Sequence, residues 1–511
     1  MRHTMKHLLD GKSLTLDMLH EVAGGGAELE LSAEALRRME SSRNVIDGVL
    51  QSGRVIYGVN TGFGKLAEVR ISPDDLSTLQ KNLILSHACG TGQALAAPEV
   101  RALLLLKLNA LLTGYSGCRT IVADYLHHLL AKDVLPVIPE KGSVGASGDL
   151  APLAHMSLVL LGLGEALVQS QKVSGLEALR FVDLQPLTLA AKEGLALING
   201  TQFMTAVGSL ALLQLQTLTA TADICGAMSA EALLCTPVAF DQRIQVARGY
   251  AGQQQSAANL RRLMADSPIR ASHLQCNRVQ DAYSVRCMPQ IHGAVRDNIT
   301  HLRETFGVEL NAATDNPLIF ADEGEILSGG NFHGHPIAIA CDLIAILATQ
   351  IANLSERRIA FMMDSTLSEL PPFLIKNSGL NSGFMIAHVS AASLVSENKV
   401  LSHPASVDSI PTSANKEDYV SMGAHAAVKA RNAVNNAITV LGIELLCACQ
   451  ALDLRLPLEP GPATKAVHDL VREHAPTLIE DRVLAEDIRV AVQLISSGEI
   501  VRRAEGVVGE L

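Results

Sequence analysis

Ala146, Ser147 and Gly148 are three consecutive residues that could carry out chemistry on their own backbone. If the Gly148 nitrogen attacks the Ala146 carbonyl carbon, a five-membered ring closes, and loss of water from Ser147 leaves an exocyclic methylidene group. Glycine leaves the attacking nitrogen unhindered, and a small side chain at position 146 suits a compressed turn. The product would be a strong electrophile that needs no external cofactor.

An ordinary structural role is also open to this tripeptide when it is taken alone. Glycine, serine and aspartate ahead of the apolar run from Leu150 to Leu163 are typical of a helix N-terminus. A serine hydrolase that uses Ser147 with His155 and Asp149 is a further alternative. The G-x-S-x-G motif of such enzymes is absent, because Asp149 occupies its last position.

A longer string around the tripeptide, GSVGASGDLAPLAHM, is far more specific. It resembles the ring-forming loop of the aromatic amino acid ammonia-lyases, a family whose members carry a methylidene-imidazolone prosthetic group. Further motifs follow in the order expected for that family, from about Leu14 to Leu454. They are YGVNTGFG (Tyr57–Gly64), LSHACGTG (Leu85–Gly92), KEGLALINGTQ (Lys192–Gln202), VQDAYSVRCMPQ (Val279–Gln290), NAATDNPL (Asn311–Leu318), SGGNFHG (Ser328–Gly334), NSGFMIA (Asn381–Ala387) and SANKEDYVSMG (Ser413–Gly423).

The resemblance implies an elimination reaction and assigns residues to it. Ala146, Ser147 and Gly148 would form a 4-methylidene-imidazol-5-one autocatalytically, and the substrate amine would add to it, which makes nitrogen a better leaving group. Removal of a weakly acidic β-proton needs a positioned base, for which Tyr57 is the candidate. Because a free tyrosine has a pKa of about 10, its site would have to favour the phenolate. Tyr283 resembles a family tyrosine that acts near the electrophile.

The same resemblance implies a set of substrate-binding residues. Arg286 would hold the substrate carboxylate through two parallel hydrogen bonds. Asn199 and Gln280 resemble the amide side chains that hold the prosthetic ring and the substrate, and Phe332 resembles an aromatic residue beside the ring. Each of these residue types also occurs in purely structural roles, as a surface ion pair, a satisfied buried amide or a packed ring.

Three residues bear on the identity of the substrate. His87 lies in the motif that faces the substrate side chain in this family and could bind an imidazole or a phenol. Glu417 stands where the histidine-specific members have glutamate and the phenylalanine and tyrosine enzymes have glutamine, and Met385 also fits the histidine subgroup. A carboxylate offers an imidazole both a charge partner and a proton acceptor. We therefore expect L-histidine to be converted to trans-urocanate and ammonia, with tyrosine or phenylalanine lyases and aminomutases as alternatives.

Several positions depart from the pattern of the histidine-specific enzymes. Lys416 matters most, because it adds a positive charge next to Glu417 in sequence. The other departures are Ala282, Met288 and Tyr419. We expect these changes to affect efficiency or specificity rather than the reaction itself.

Long segments with helical apolar spacing must position these motifs. They are Asp75–His87, Pro98–Leu112, Ala151–Leu163, Gln202–Leu234, Pro336–Met362 and Lys416–Leu452. Strand-like alternation is confined to short pieces such as Arg54–Tyr57 and Leu318–Phe320. The sequence predicts a mainly α protein, a long antiparallel helical bundle with a loop-rich N-terminal half (1–200) and a helical C-terminal half (201–511), forming one cooperative unit. The family resemblance implies a fumarase/aspartase-like fold.

The amino-acid composition bears on nucleic-acid binding and on subunit contacts. The chain has 511 residues, a formal net charge of −11, 48% apolar residues and 18% charged residues. The absence of a clustered basic segment argues against nucleic-acid binding. High apolar content with little charge suggests that part of the surface is used in subunit contacts, and the resemblance implies a homotetramer whose active sites combine loops from several subunits.

Other features predict location and metal content. The longest uncharged stretch, Gly194–Ala222, contains many amide and hydroxyl side chains, which favours a buried helix over a membrane span. No signal peptide is recognisable, and the nine cysteines show no CxxC spacing, so we expect a cytoplasmic protein with reduced thiols. The HGH sequence at His333–His335 lacks the spacing of a helical zinc motif, and we expect no catalytic metal.

Overall fold

The computed structural model describes residues 6–62, 68–274 and 279–511. Helix accounts for 61% of the chain and strand for 8%, so the predicted mainly α fold class is confirmed. The helices are α1 (Leu16–Ala23), α2 (Ala33–Ser52), α3 (Leu76–His87), α4 (Ala97–Leu112), α5 (Thr120–Ala131), α6 (Leu150–Leu160), α7 (Gly175–Phe181), α8 (Glu193–Ile198), α9 (Gln202–Ala232), α10 (Gln242–Arg248), α11 (Ala251–Leu263), α12 (Pro268–Ser272), α13 (Tyr283–Arg286), α14 (Met288–Glu309), α15 (His335–Met363), α16 (Ser365–Ser368), α17 (Met385–Leu401), α18 (Gly423–Asp453), α19 (Pro462–His474), α20 (Leu484–Ser496) and α21 (Glu499–Val508).

The strands are short and form four small sheets. They are β1 (Lys6–Leu9), β2 (Glu28–Leu31), β3 (Thr91–Ala94), β4 (Leu135–Pro136), β5 (Pro139–Lys141), β6 (Glu165–Val168), β7 (Gln171–Ser174), β8 (Leu318–Phe320) and β9 (Glu325–Leu327). Strand β1 pairs in parallel with β2, whereas β3–β5, β4–β6–β7 and β8–β9 are antiparallel.

One of the two strands predicted from sequence is present. Leu318–Phe320 forms β8, but Arg54–Tyr57 is not a strand. The Asn60 side chain holds that segment in a turn, since it donates to the Arg54 carbonyl at 2.7 Å and accepts from the Ile56 amide at 2.9 Å. These local bonds compete with pairing to a neighbouring strand.

The chain separates into two compact units, each built from separated segments. The first consists of Met1–Leu210, Arg303–Asp342 and Pro404–Lys429, and the second of Ala211–Leu302, Leu343–His403 and Ala430–Leu511. The division predicted near residue 200 stays a prediction.

In the first unit, α4 is a central buried helix. Its start is fixed by Pro98 in the first turn and by the Glu99 carboxylate, which accepts from the Ala96 amide at 2.9 Å. Leu103, Leu104 and Leu105 are fully buried, as are residues on the other faces of the helix. A helix that is apolar on all sides is typical of the interior of a large protein.

In the second unit, parts of α9, α14, α15, α17 and α18 form a bundle whose helices run in both directions. Contacts of Ser229 with Glu444 and of Cys225 with the Leu441 carbonyl show that α9 and α18 run parallel. Helices α15 and α17 run antiparallel, with Thr349 bound to Ser402 and Glu356 to His388. The sequence predicted antiparallel neighbours, and the parallel pair is a detail that helix periodicity alone does not contain.

The predicted helix Lys416–Leu452 begins seven residues later than expected, at Gly423. The backbones of Thr412 and Glu417 pair with each other, and Ser413, Ala414 and Asn415 all have left-handed φ values of 50°, 54° and 66°. Left-handed backbone cannot continue a right-handed helix. The acidic segment before α18 is therefore a loop.

Among the described residues, three helices are long and apolar enough to cross a membrane by length and composition, namely α9, α15 and α18. In this structure 72%, 72% and 78% of their apolar windows are buried within the protein. This burial supports the interpretation of Gly194–Ala222 as part of the protein interior.

Candidate active site

The tripeptide Ala146–Ser147–Gly148 lies in a tight turn against Gly200. Gly148 has φ +76°, and a Cβ atom added to it would lie 2.1 Å from the Gly200 carbonyl oxygen. That oxygen accepts from the Asp149 amide at 2.7 Å, and the Gly200 amide lies 3.4 Å from the Ser147 carbonyl oxygen. Position 148 therefore has room only for glycine, and two backbone segments hold the turn in place.

Asp149 anchors the turn to the start of α9. Its carboxylate is fully buried, accepting from the Met204 amide at 2.9 Å and from the Ser143 hydroxyl at 3.1 Å. Burial raises the pKa of Asp149 to about 7, against the opposing effect of these hydrogen bonds. The side chain makes no capping bond to α6, which was the ordinary structural alternative for this segment, and instead accepts from an amide in the first turn of α9.

A loop ahead of α18 brings Glu417 to Ser147. The Ser147 hydroxyl donates to Glu417 Oε1 at 3.0 Å, and the Thr412 hydroxyl donates to Glu417 Oε2 at 2.6 Å. The same loop is tied to the ring-forming segment by the Ser421 hydroxyl, which donates to the Gly145 carbonyl at 3.1 Å. A carboxylate fixed at both oxygens thus faces the serine of the tripeptide.

His87, at the end of α3, lies near this carboxylate. Its Nδ1 is 2.8 Å from the Leu83 carbonyl oxygen, so Nδ1 carries the proton of the neutral ring and Nε2 is the acceptor. Burial lowers the pKa of His87, against the opposing effects of the bond to Leu83 and of the nearby Glu417 charge. A neutral imidazole and a carboxylate therefore lie close together.

Asn199 follows α8 and is 3% exposed. Its Nδ2 donates to Asp315 Oδ1 at 3.1 Å and to the Asn316 carbonyl at 3.3 Å. Its Oδ1 is buried and has no hydrogen-bond partner within the described residues. An unsatisfied buried acceptor beside the tripeptide segment is suited to a donor that the protein itself does not supply.

Tyr57 is half-buried in a turn that packs onto the same region. A Cβ atom on the next residue, Gly58, would lie 2.7 Å from Leu195 and 3.1 Å from Pro317. Leu195 lies in α8 just before Asn199, and Pro317 follows Asn316. The turn that carries Tyr57 thus contacts α8, which leads to Asn199, and the segment around Asn316, which accepts a hydrogen bond from the Asn199 side chain.

The serine hydrolase arrangement is not assembled. His155 Nε2 accepts from the Gly90 amide at 3.0 Å, whereas the Ser147 hydroxyl donates to Glu417. A general base for Ser147 would have to occupy the position that Glu417 holds.

Comparisons with known proteins show the family of this chain. The family model described as aromatic amino acid lyase matches residues 14–473. A histidine ammonia-lyase from Myxococcus xanthus is 53% identical over 97% of this chain and 97% of its own length. The crystal structure of histidine ammonia-lyase from Trypanosoma cruzi is 43% identical, covers 99% of this chain and 96% of its own, and has a TM-score of 0.91. The structure of tyrosine aminomutase from Streptomyces globisporus is 37% identical, covers 99% of both chains and has a TM-score of 0.93.

The chain belongs to the aromatic amino acid lyase family. The family membership and the lyase class that the motifs predicted are confirmed.

The second unit carries the remaining residues that the lyase motifs pointed to. The guanidinium carbon of Arg286 lies 4.5 Å from the centre of the Tyr283 ring, and Arg286 Nε is buried with no hydrogen-bond partner in the described parts of the chain. Tyr283 is 71% exposed, and Gln280 is exposed beside residues 275–278, which lie outside the described residues. Met385 is the first residue of α17. Of these four residues, Arg286 and Tyr283 are seen in contact with each other.

Phe332 lies in a loop of the first unit that is held at both ends. The Gly329 amide donates to Asn316 Oδ1 at 2.8 Å, and Gly334 packs against Met204 and Ser421. Half-buried Phe332 is therefore held between two segments of the candidate site.

The histidines after Phe332 pack on an aromatic ring. His333 stacks on Tyr419 with ring centres 6.1 Å apart and lies 5.8 Å from the His335 ring. Within the described ranges, no group of three or more histidine, cysteine, aspartate or glutamate residues could hold a metal. The expectation of no catalytic metal stays a prediction. Phe63 and Gly64, which end the YGVNTGFG motif, lie outside the described residues.

Several polar residues that hold the site in place were not among the site residues predicted from the sequence. Thr412 fixes Glu417, Ser143 fixes Asp149, and Lys107, Lys192 and Asp315 surround Asn199. Lys107 had a visible signal, because it is the single charged residue between Ala102 and Leu112. An isolated charge in a strongly apolar helix requires a buried partner.

Proposed function

We propose that this chain eliminates ammonia from L-histidine and releases trans-urocanate. The observation that carries the proposal is the Glu417 carboxylate, 3.0 Å from the Ser147 hydroxyl and close to a neutral His87. A carboxylate and an imidazole acceptor are suited to the N–H donor of an imidazole side chain. The similarity to proteins named histidine ammonia-lyase, 53% identical over 97% of the chain, supports the same substrate.

We propose that Ala146, Ser147 and Gly148 form a 4-methylidene-imidazol-5-one group autocatalytically. Once formed, the group supplies an electrophile for the substrate amine. The residues fit it: position 148 admits only glycine, Ala146 is buried, and Gly200 and Asp149 hold the turn from both sides. No external cofactor is required.

Side chains of the first unit have separate roles in this proposal. Tyr57 removes the β-proton, and its turn packs beside the segments that hold Asn199. His87 and Glu417 orient the substrate imidazole. Asn199 offers its unpartnered Oδ1 to the substrate or the prosthetic ring, and Phe332 packs beside that ring.

Four further residues, Arg286, Tyr283, Gln280 and Met385, complete the proposal. Arg286 binds the carboxylate as a bidentate partner, and its buried, unpartnered Nε is suited to that role. Tyr283 acts near the electrophile, Gln280 binds substrate, and Met385 contacts the side chain. We propose that the protein is a homotetramer in which different subunits contribute these residues to one site.

An aminomutase or a tyrosine lyase is the second candidate. The observation that favours it is the TM-score of 0.93 with a tyrosine aminomutase, together with the ability of His87 to bind a phenol. Glu417 favours histidine, because a carboxylate offers an imidazole both a charge partner and a proton acceptor, whereas a neutral phenol gains no charge partner from it.

The deciding experiment is incubation of the purified protein with L-histidine, L-tyrosine or L-phenylalanine, with ultraviolet spectra and an ammonia assay. Urocanate and ammonia from histidine alone support the proposal. Product from tyrosine, or a β-amino acid without free ammonia, would instead establish the second candidate. Mass spectrometry of the peptide containing Ala146–Gly148 should find the loss of two waters.

Two further properties belong to the proposal. A cytoplasmic location is consistent with the eight cysteines in the described part of the chain, all of which are free thiols. A reaction without a metal predicts that exhaustive chelation leaves activity unchanged.

A further inference from the structure

Two buried lysines lie behind Asn199, and the proposed reaction uses neither of them. The Lys107 side chain, from α4, is 1% exposed, and the Lys192 side chain, just before α8, is fully buried. Burying an ammonium group is costly unless carbonyls or carboxylates surround it. Their partners therefore indicate what these charges hold in place.

Lys107 holds the backbone of Asn199. Its Nζ donates to the Asn199 carbonyl at 2.7 Å and to the Ala196 carbonyl at 3.0 Å, at the C-terminal end of α8. The Asn199 carbonyl belongs to the same peptide group as the Gly200 amide, which faces Ser147. A cation on the carbonyl of a peptide group makes its N–H a stronger donor.

Asp315 holds the side chain of Asn199. Its Oδ2 accepts from Lys192 Nζ at 2.6 Å, and its Oδ1 accepts from Asn199 Nδ2 at 3.1 Å. An ionised carboxylate can only accept hydrogen bonds, so it turns the NH₂ group toward itself and the amide oxygen away. That oxygen is the buried Oδ1 that has no partner among the residues described.

Asp315 is the carboxylate that balances the two lysines. It forms an ion pair with Lys192, and its charge also favours the ammonium form of Lys107. Burial lowers the pKa of Lys107 to about 8, with Asp315 opposing the shift, so the ammonium group persists at neutral pH.

We propose that Lys107 and Asp315 are positioning residues that fix Asn199 and Gly200 for two separate tasks. Lys107 keeps Gly200 against Ser147 and Gly148, which ring formation requires. Asp315, held by Lys192, orients the Asn199 oxygen to accept a hydrogen bond from the substrate's amino group. The second task rests on the proposed function, whereas the first does not depend on which amino acid is the substrate.

The first test compares Lys107→Met with Asn109→Leu. Asn109 lies on the same helix, is fully buried and donates to the Leu310 carbonyl at 2.9 Å. Replacing its side chain should therefore destabilise the fold about as much as replacing that of Lys107. Both variants should melt below the parent, but only Lys107→Met should lower the fraction of tripeptide that has lost two waters, measured by mass spectrometry. Lys107→Gln, which keeps a donor without the charge, should give an intermediate fraction. Equal fractions in Lys107→Met and Asn109→Leu would overturn the role of Lys107.

The second test uses Asp315→Asn, which removes the charge that orients the amide. The fraction of tripeptide that has lost two waters should match that of the parent protein. In contrast, kcat/KM for L-histidine should fall about tenfold or more, the loss expected for one charged hydrogen bond. The exchange Asn199→Asp with Asp315→Asn restores a donor–acceptor pair and an oxygen facing the substrate, and should recover activity above either single variant.

A normal kcat/KM in Asp315→Asn, or no recovery in the exchange, would overturn the role of Asp315. If the parent itself does not act on L-histidine, the proposed function fails, but the mass-spectrometric comparison of Lys107→Met with Asn109→Leu still decides the role of Lys107.

Discussion

At the scale of single residues, Glu417 is held in place by hydrogen bonds to both oxygens of its carboxylate. Its two oxygens are bound by Ser147 and Thr412, while the next residue toward the N-terminus, Lys416, is exposed. The added positive charge therefore lies in solvent, where water and salt screen it. Charge at position 416 should matter much less than charge at position 417.

Replacing Glu417 by glutamine should lower kcat/KM for L-histidine by about 10- to 100-fold, because one charge-assisted hydrogen bond is lost. Lys416→Gln is the matched control on the same loop and should change kcat/KM less than about threefold. Steady-state urocanate formation measures both. A larger effect at 416 than at 417 would contradict the role of Glu417.

Gly148→Ala should prevent loss of water from the tripeptide and lower the melting temperature. The added Cβ would lie 2.1 Å from the Gly200 carbonyl oxygen, where backbone must move. Gly307→Ala in α14 is the control, since a Cβ there meets nothing within 4 Å. That change should stabilise the helix by about 0.5–1 kcal/mol. Thermal unfolding and the mass of the tripeptide peptide distinguish the two variants.

The sequence located the residues around the tripeptide but not those that hold them. Tyr57, His87, Asn199 and Glu417 lie in strings whose composition is unusual, and the structure brings their segments together. Lys107 and Thr412 lie outside any such string, and their role depends on which carbonyl or carboxylate faces them after folding. That information is tertiary, and helical or strand periodicity does not contain it.

For the helices, the apolar pattern predicted the segments well and their ends less well. Helix α9 was predicted as Gln202–Leu234 and spans Gln202–Ala232. The prediction is close because this 31-residue apolar segment contains few helix-breaking residues. The predicted start of α18 was wrong, although the sequence there resembles a helix N-terminus. The backbone pairing of Thr412 with Glu417 and three left-handed residues prevent a helix from forming before Gly423.

Buried ion pairs join the long helices of the second unit. Arg358 of α15 binds Glu444 of α18 through both carboxylate oxygens, at 2.5 Å and 2.7 Å, and Ser229 of α9 donates to the same carboxylate. The ion pair is fully buried. Removal of one partner leaves an uncompensated charge in the interior.

Arg358→Met should therefore cost about 3–5 kcal/mol of folding free energy. The double variant Arg358→Met with Glu444→Gln should recover much of the loss, since no charge remains unpaired. Arg489→Met, which breaks an exposed pair with Glu486, is the control and should have almost no effect. Chemical denaturation measures all three, and equal losses for Arg358→Met and Arg489→Met would contradict the argument.

A second buried network, on α9, α11 and α14, predicts acid sensitivity. Burial opposes ionisation of Asp223, but Arg296 and His292 outweigh it and hold the pKa of the carboxyl well below its usual value. Burial lowers the pKa of His292, whose Nδ1 lies 2.8 Å from Asp223. The neutral histidine therefore stabilises the fold above about pH 6.5, the unfolded value, and this stability is lost as pH falls.

The free energy of unfolding should accordingly fall between pH 6.5 and pH 5, by at most about 1.4 kcal/mol per pH unit for this one group. Asp223 adds to acid sensitivity only at lower pH, below the usual carboxyl range. His292→Gln should flatten the slope, whereas His20→Gln, at an exposed position, should leave it unchanged. An unchanged slope in His292→Gln would show that other groups cause the acid sensitivity.

The whole molecule exposes large apolar side chains that an isolated chain would be expected to cover. They include Val279, Leu380, Val400, Val407 and Ile479, all more than 70% exposed. Subunit contacts would cover large apolar side chains of this kind. The surface supports the proposed homotetramer, and the 71% exposure of Tyr283 is consistent with a residue that works in a neighbouring subunit's site.

Mixing Tyr57→Phe with Arg286→Ala should recover activity that neither variant has. In a shared site, some mixed tetramers combine an intact tyrosine from one subunit with an intact arginine from another. The variants should be unfolded, mixed and refolded together, with each refolded alone as the control. Recovery no greater than the sum of the controls would contradict shared sites.

The left-handed run Ser413–Ala414–Asn415 has a practical consequence for protein engineering. All three residues are exposed and none is glycine, so the turn ahead of Glu417 is stiff without being packed into the interior. Exchanges there leave the protein interior untouched, and those that alter the backbone of the turn would move the Glu417 carboxylate that follows it. A directed-evolution campaign for new amino acid substrates should begin with this turn rather than with the buried wall of the site.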